Sequence, residues 1–278
     1  MRFFRPIGDL KGWKRFGFEV AIIVIGLGIT LIAQDLISNA NRARATREAI
    51  DAVEVDLVQL YLHSSERLAV EPCRREQVRA LADRIERSNG YWTAEIPESI
   101  NRNADTLVLP RVLRSPRRPW SDATWRALLA SDAAIDMDRQ RFIQISAAFS
   151  SAQSFRERQD AAFDLAGELS HLAISGPFDA AQRREAYATL SRLASMEGIM
   201  TIHAQQARDA IMALDFQNEQ RFVRFTSATQ QGDVADFIAN TVATYGTCVD
   251  TTQFQPFIDD LNATTGMNVT LPLQSAAP

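Results

Sequence analysis

The run Val20-Ala-Ile-Ile-Val-Ile-Gly-Leu-Gly-Ile-Thr-Leu-Ile-Ala33 contains no charged side chain and lies near the start of the chain. As a helix it is roughly 21 Å long at about 1.5 Å per residue, which is shorter than the ~30 Å hydrocarbon core of a bilayer. Extending it through Phe16 on one side and Leu36 and Ile37 on the other makes it long enough to cross. We therefore predict a transmembrane anchor over residues 16–37, preceded by a short cytoplasmic segment, residues 1–15.

The anchor carries polar residues close to its two ends, namely Glu19, Gln34 and Asp35. An ionisable residue within a membrane helix is a functional hypothesis by default. The alternative is that Glu19 lies at the headgroup level and is simply solvated. The second interpretation is favoured because Arg15 and Phe16 lie just before Glu19 in the chain.

A cleaved signal peptide is the alternative interpretation of the same segment. The apolar run has the length of a signal-peptide core, and Ser38-Asn39-Ala40 offers a small-x-small cleavage site. However, the predicted helical pattern continues without a break past Ala40. That continuity favours a retained anchor.

The charges that flank the apolar run predict its orientation. Asp9 alone opposes the basic residues before the run, and fewer basic residues follow it. Those before the run are Arg2, Arg5, Lys11, Lys14 and Arg15, and those after it are Arg42, Arg44 and Arg47. By the positive-inside rule we expect the N-terminus in the cytoplasm and the rest of the chain in the periplasm, with the helix in a bacterial inner membrane.

The block from Trp13 to Asp35, WKRFGFEVAIIVIGLGITLIAQD, resembles the start of a bacterial family of uncharacterised single-pass membrane-anchored proteins. Four positions match the family pattern, and they are Glu19, Gly26, Ala33 and Gln34. The segment Thr124-Trp125 to Ser131, followed by Ile135 and Arg139, is a weaker second match. The chain departs from the pattern at Asp35-Leu36-Ile37, where the family carries an asparagine-tryptophan pair. The resemblance implies one membrane span and a helical domain, and it assigns no catalytic residue.

Composition restricts the class of the remaining chain. The protein has 278 residues, 46% hydrophobic and 23% charged, and a net charge of −4. Nothing in that charge suggests the basic face that nucleic-acid binding requires. The 12 glycines and 10 prolines leave long stretches without helix breakers, which favours helix over sheet.

Helical patterns cover most of the region that we predict to be the soluble domain, residues 38–261. Apolar positions such as Ile50, Val53 and Leu57 follow a helical period. The predicted helices span 37–70, Pro72 to Ser88, Ser121 (as N-cap) to Leu129, 138–174, 179–214 with an extension towards Gly232, 234–245 and 254–261. An irregular Pro/Arg-rich insertion, residues 91–120, includes a candidate strand at Thr106–Leu109, and residues 262–278 form a flexible tail. We predict an all-α fold, an antiparallel helical bundle whose regularly spaced phenylalanines and methionines are core.

Cys73 and Cys248 are the two cysteines of the chain. In an oxidising compartment they could form a disulfide between the first soluble helices and the C-terminal segment. The alternative is two free buried thiols, which are common for cysteine.

Motifs for catalysis or for cofactors are weak in this sequence. Glu168-x-x-His171 has the spacing of a carboxylate-bridged metal site, but such a site needs a second copy of the motif and further glutamates. His63 and His203 are scattered, and we find no nucleophile elbow, phosphate loop or dinucleotide fingerprint. We expect no metal and no cofactor.

Arginines concentrate in the irregular insertion near Trp92 and Trp120. They are Arg102, Arg111, Arg114, Arg117 and Arg118. Such a cluster could bind anionic lipid or an acidic partner, or it could be a solvated loop that pairs with acidic helices. We expect a non-enzymatic interaction or accessory module, acting with a protein partner or as a homo-oligomer. A ligand-sensing bundle is the first alternative, and an enzyme without a recognisable motif is the second.

Overall fold

The computed structural model describes residues 10–94, 113, 115–135, 137–214, 231–266 and 268–270. Within these ranges the fold is all-α apart from one short ribbon. The helices are α1 (Leu10–Arg87), α2 (Ala123–Leu129), α3 (Arg139–Glu168), α4 (Ala180–Met212), α5 (Gln231–Tyr245) and α6 (Gln255–Thr265), and the ribbon pairs β1 (Gly90–Trp92) with β2 (Gly176–Phe178). Single 3₁₀ turns lie at Asp132–Ala134, Leu169–Ala173, Gly246–Cys248 and Thr251–Phe254.

The chain divides into two compact units, residues 1–49 and 50–278. In the first unit, the large apolar side chains between residues 16 and 37 are all solvent-facing, from 41% exposed at Val20 to 68% at Phe18. By length and composition this part of α1 is a candidate membrane span. Apolar surface on every side of a helix is unusual for a helix in water, where one face is normally polar.

Helix α1 passes through Pro72 without ending, so the prediction that a new helix starts at Glu71-Pro72 is wrong. Proline removes one helical N–H donor and crowds the preceding turn. In this turn the carbonyl oxygen of Ala69 accepts a hydrogen bond from the backbone N–H of Asp250 at 2.9 Å. A tertiary contact therefore supports the backbone at the point where local propensity favours a break.

The ribbon was not predicted, because its two strands have only three residues each. Gly90 pairs with Phe178 and Trp92 with Gly176 in antiparallel register. Gly90 has a φ of +76°, which glycine adopts readily, and this lets the chain leave α1 and enter β1. The candidate strand Thr106–Leu109 lies outside the described residues.

Helices α3 and α4 pack against each other as an antiparallel pair. The side chain of Gln144, early in α3, donates to the carbonyl of Ala213 just after α4 at 3.0 Å. The segment that follows α1 is held against the same region, since the Trp92 indole donates to the Leu172 carbonyl at 2.8 Å and Arg183 of α4 donates to the Ser88 carbonyl at 2.9 Å.

The core of the second unit contains most of the apolar positions that helical spacing predicted. Leu57, Phe155 and Leu190 are at most 1% exposed. Phe163 was expected in the core but is 50% exposed, and the guanidinium of Arg117 lies 4.2 Å from its ring centroid. Its position on α3 therefore faces the surface.

Local signals located several helix ends correctly and misplaced others. The capping box of Asp179 and Gln182 is present at the start of α4. The N-cap of α2 is Asp122 rather than Ser121, and α3 ends at Glu168 rather than Ile174, because the chain tightens there into a 3₁₀ turn. The expected extension of α4 towards Gly232 falls mostly in residues 215–230, outside the described ranges.

The C-terminal boundary also differs from the prediction. Helix α6 continues past Leu261 and ends at Thr265, where Gly266 takes a left-handed conformation. The side chain of Asn262 accepts from the backbone N–H of Val269 at 2.9 Å and donates to its carbonyl at 2.8 Å. The first part of the predicted tail is therefore folded, whereas residues 271–278 lie outside the described ranges.

Candidate functional site

The centre of the second unit contains a run of buried polar residues on α1. Ser64, Ser65 and Glu66 are 0% exposed and Arg67 is 1% exposed. Consecutive residues of a helix point in different directions, so α1 is enclosed on all sides at this level. A buried charge is costly unless it is paired and hydrogen-bonded, and the partners of this run define the candidate site.

Arg67 forms an ion pair with Glu197, which α4 supplies. Arg74 lies about two turns further along α1. It donates to the other carboxylate oxygen of Glu197 at 2.5 Å. Arg67 also donates to the Glu197 carbonyl at 3.1 Å and to the Ser115 hydroxyl at 2.5 Å. One carboxylate on α4 thus holds two arginines of α1.

The electrostatics of this cluster, Arg67, Arg74 and Glu197, follow from its burial. Burial by itself raises the pKa of Glu197, but the charges of Arg67 and Arg74 act the other way and hold it below its ordinary value. Burial lowers the pKa of Arg74, and Glu197 partly opposes that effect. The carboxylate is therefore ionised and holds its two partners in place at neutral pH.

Glu66 forms a second buried pair, with Arg118 of the segment before α2. Two guanidinium nitrogens of Arg118 donate to the two carboxylate oxygens of Glu66 at 2.7 and 2.6 Å. The hydroxyl of Thr241 on α5 also donates to Glu66 at 3.0 Å. The bidentate geometry of Arg118 and Glu66 is the strong form of an arginine–carboxylate pair. Burial, and then the charge of Glu66, raise the pKa of Tyr245 to about 12.

His63 lies between aromatic rings one turn before Arg67. Its ring centroid is 6.2 Å from that of Trp120 and 5.9 Å from that of Phe237. Burial, and then the charge of Arg118, lower the pKa of His63 to about 4. The imidazole is therefore neutral at physiological pH.

A pocket of about 150 Å³ opens beside the Glu197 cluster. Its buried side is formed by Arg67, Arg74 and Glu197, and Arg75 and Gly198 lie on its exposed side. A smaller space of about 40 Å³ adjoins Glu197 from the direction of Ser115 and Phe163. Among the described residues, no group of three or more histidines, cysteines or carboxylates is arranged to hold a metal ion.

Cys73 and Cys248 lie at disulfide distance, with a Cα–Cα separation of 5.2 Å. The link joins α1, just after Pro72, to the turn that follows α5. Together with the Ala69–Asp250 hydrogen bond, it attaches the C-terminal segment to α1 next to Arg74. Of the two interpretations that the sequence allowed, the structure therefore has the one that places the cysteines together.

The arginine patch and the histidines that the sequence singled out do not form one site among the described residues. Arg102, Arg111 and Arg114 lie outside those residues. Arg118 is paired with Glu66, while Arg117 is exposed and lies 3.4 Å from Asp160. His171 is hydrogen-bonded to the carbonyl of Glu168 rather than to its carboxylate, and His203 lies elsewhere on α4.

The sequence pattern did not single out the residues that form this centre, which are Glu66, Arg67, Arg74 and Glu197. A signal was available, because Glu66-Arg67 lies in a helical stretch whose apolar positions include Leu57, Leu62 and Val70. Charged residues at core positions of a helix are usually paired. Their partners could not be named from the pattern.

No protein-family model matches this chain, and neither the curated proteins nor the solved structures contain a match. The chemistry of the centre must therefore be judged from its own residues. Its ionised groups form closed internal pairs, and no nucleophile is placed beside a base among the contacts described above. Its arginines have the geometry to hold carboxylates or phosphates.

Proposed function

We propose that this protein is held in a membrane by one helix, residues 16–37, and presents a non-catalytic helical bundle that binds a partner on the periplasmic side. The observation that carries the proposal is the solvent-facing apolar surface of this part of α1. A helix that is apolar on all sides suits lipid better than water.

Two polar side chains within this segment, Thr30 and Glu19, are compatible with a membrane. The hydroxyl of Thr30 donates to the carbonyl of Gly26 at 2.8 Å, so it needs no water. A membrane interior requires that polar groups be satisfied within the protein. Glu19 lies near the end of the segment, where its carboxylate can reach the headgroup region.

A periplasmic position of the domain is supported by the flanking charges and by the cysteines. The basic residues before the apolar run favour a cytoplasmic N-terminus. A disulfide between Cys73 and Cys248 would persist in the bacterial periplasm and would be rare in the cytosol. The resemblance of residues 13–35 to a bacterial membrane-anchored family agrees with the same topology and remains part of this proposal.

A non-catalytic role is proposed because the buried charges have internal partners. Glu66 and Glu197 both accept from arginines, which is an arrangement that stabilises a structure. Arg117 and Phe163 form an exposed cation–π pair on the surface, and residues of this kind are frequent in protein interfaces. We propose this surface as the contact for a partner.

Topology is tested by fusing alkaline phosphatase or green fluorescent protein to the C-terminus. We expect alkaline phosphatase activity and no fluorescence from the cytoplasmic reporter. The opposite result would overturn the orientation. Intact-mass measurement of the purified protein separates a retained anchor from cleavage after Ala40.

Partner binding is tested by affinity purification from detergent-solubilised membranes, followed by quantitative mass spectrometry. We expect a protein that is enriched with the parent chain and lost with Arg117→Glu. The matched control is Arg79→Glu, an exposed arginine of α1. Recovery of a monomer alone, or equal enrichment with both variants, would contradict the partner role.

A further inference from the structure

The pocket beside Glu197 has a lining that is unusual for a purely structural cavity. Three arginines, Arg67, Arg74 and Arg75, line it against two glutamates, Glu71 and Glu197, which leaves one net positive charge. Both carboxylate oxygens of Glu197 already accept from arginines. The lining therefore has more capacity to donate hydrogen bonds to an anion than to accept them from a cation.

Two of these arginines have donor capacity that the described residues do not use. The Nε of Arg67 is buried and has no hydrogen-bond partner among them. Arg75 is 57% exposed and approaches Glu71 only to 3.8 Å, which is longer than the 2.7–2.9 Å typical of a charge-assisted hydrogen bond. The exposed guanidinium of Arg75 can therefore donate to a ligand in the pocket, whereas the Nε of Arg67 is enclosed by protein.

The size of the pocket limits the ligand. Its volume of about 150 Å³ is close to that of an engineered cavity of about 150 Å³ that holds benzene, and it is below the roughly 300–1,000 Å³ of sites for drug-sized molecules. An entire lipid or a peptide does not fit. The exposed positions of Ala194 and Gly198 at the pocket give a small molecule access from solvent.

We propose that this pocket binds a small water-soluble oxyanion, a carboxylate or a phosphate of about five to eight heavy atoms. Arg75 donates to the anion, and the net positive charge of the pocket lining attracts it. Glu197 holds Arg67 and Arg74 in position. Anion binding here does not depend on membrane orientation or on a protein partner, and the pocket gives the ligand-sensing alternative a specific site.

The test is isothermal titration calorimetry on the full chain in neutral detergent. The titrants are sodium acetate and sodium phosphate, with sodium chloride at matched ionic strength as the control. We expect saturable one-site binding of at least one oxyanion and only dilution heat with chloride. Absence of saturable binding of both oxyanions would overturn the proposal.

Two variants locate the binding. Arg75→Gln should weaken it roughly tenfold, because a charge-assisted hydrogen bond is lost, while Arg79→Gln should not. Gly198→Leu places a side chain at the pocket, where a Cβ meets no atom within 4 Å, and it should abolish binding. The urea midpoint of this variant, compared with that of the parent, checks that it folds. Gly167→Leu on α3 is the matched control, since its Cβ is equally free. Binding that survives both Arg75→Gln and Gly198→Leu would place the anion elsewhere and overturn the assignment.

Discussion

Arg67 of α1 and Glu197 of α4 are 130 positions apart in the chain and form a buried ion pair. Arg67 is 1% exposed and Glu197 8%, so water cannot replace either partner. Arg74 shares the same carboxylate. The contact between α1 and α4 therefore contains a charged centre whose members depend on one another.

Removing the carboxylate should destabilise the domain strongly. Glu197→Gln leaves two buried arginines without a counter-charge, and loss of one partner of a buried pair costs about 3 to 5 kcal/mol. Urea unfolding followed by tryptophan fluorescence measures the change. Glu185→Gln, at an exposed position of α4, should leave the unfolding free energy within about 0.5 kcal/mol of the parent.

The triple variant Arg67→Met, Arg74→Met, Glu197→Leu separates charge from packing. Apolar replacement of a whole buried ionic group is often neutral or stabilising, so we expect recovery of most of the stability that Glu197→Gln loses. A triple variant as unstable as the single one would show that shape or hydrogen bonding, rather than unpaired charge, causes the loss.

His63 should make the domain acid-sensitive below neutral pH. Its pKa is lowered from 6.5 to about 4 in the folded state. Above pH 6.5 the imidazole of His63 is neutral in both the folded and the unfolded state, so its titration costs no stability. As the pH falls from 6.5 towards 4, the unfolded state binds a proton that the folded state refuses, so up to about 3 kcal/mol is lost.

Urea midpoints of the parent and of His63→Phe, measured between pH 7.5 and pH 4.5, check this expectation. The urea midpoint of His63→Phe should fall much less than that of the parent over this interval. The midpoint of His171→Asn, at an exposed position, should fall as much as that of the parent. The pKa of Glu197 is lowered in the folded state. The stability that this carboxylate contributes is therefore present above its pKa in the unfolded state, and it is lost as the pH falls through its lower pKa in the folded state. Equal slopes for the parent and His63→Phe would exclude His63 as the cause.

Loss of the Cys73–Cys248 link should lower stability by about 2 to 5 kcal/mol, the usual effect of removing a native disulfide. The change is Cys73→Ser together with Cys248→Ser, and the measurement is the unfolding midpoint with and without dithiothreitol. The parent should respond to dithiothreitol and the double variant should not. Peptide mapping without reduction should recover the linked peptides, and two free thiols in protein prepared from membranes would contradict the link.

Charges in the apolar run should prevent membrane insertion. Ile25→Asp with Ile29→Asp costs about 2.5 to 3.5 kcal/mol per charge near the bilayer centre. Fractionation of membranes after alkaline carbonate washing measures the outcome. We expect the double variant in the soluble fraction or degraded, and the control Ile135→Asp with Ile174→Asp, at positions 80% and 73% exposed, in the membrane fraction. A parent chain that is extracted by carbonate would contradict anchorage.

Features encoded by neighbouring residues could be predicted from the sequence. The apolar run around Val20–Ala33 and the capping box of Asp179 and Gln182 are examples, because helical period and end signals act within a few residues. A Cys73–Cys248 pair was one of two interpretations that the sequence allowed, and the structure places the two cysteines together. The continuation of α1 through Pro72 was not predicted, because the supporting N–H comes from Asp250.

The sequence by itself determined a helical protein with one apolar segment long enough to cross a membrane, because both properties follow from local composition and period. Only the tertiary structure decided that Glu66 and Arg67 are core residues. Their partners Arg118 and Glu197 lie 52 and 130 positions away, and a local pattern cannot distinguish a paired buried charge from a solvated one. The pocket beside Glu197 depends on the same long-range pairing, because its arginines are positioned by a carboxylate from another helix.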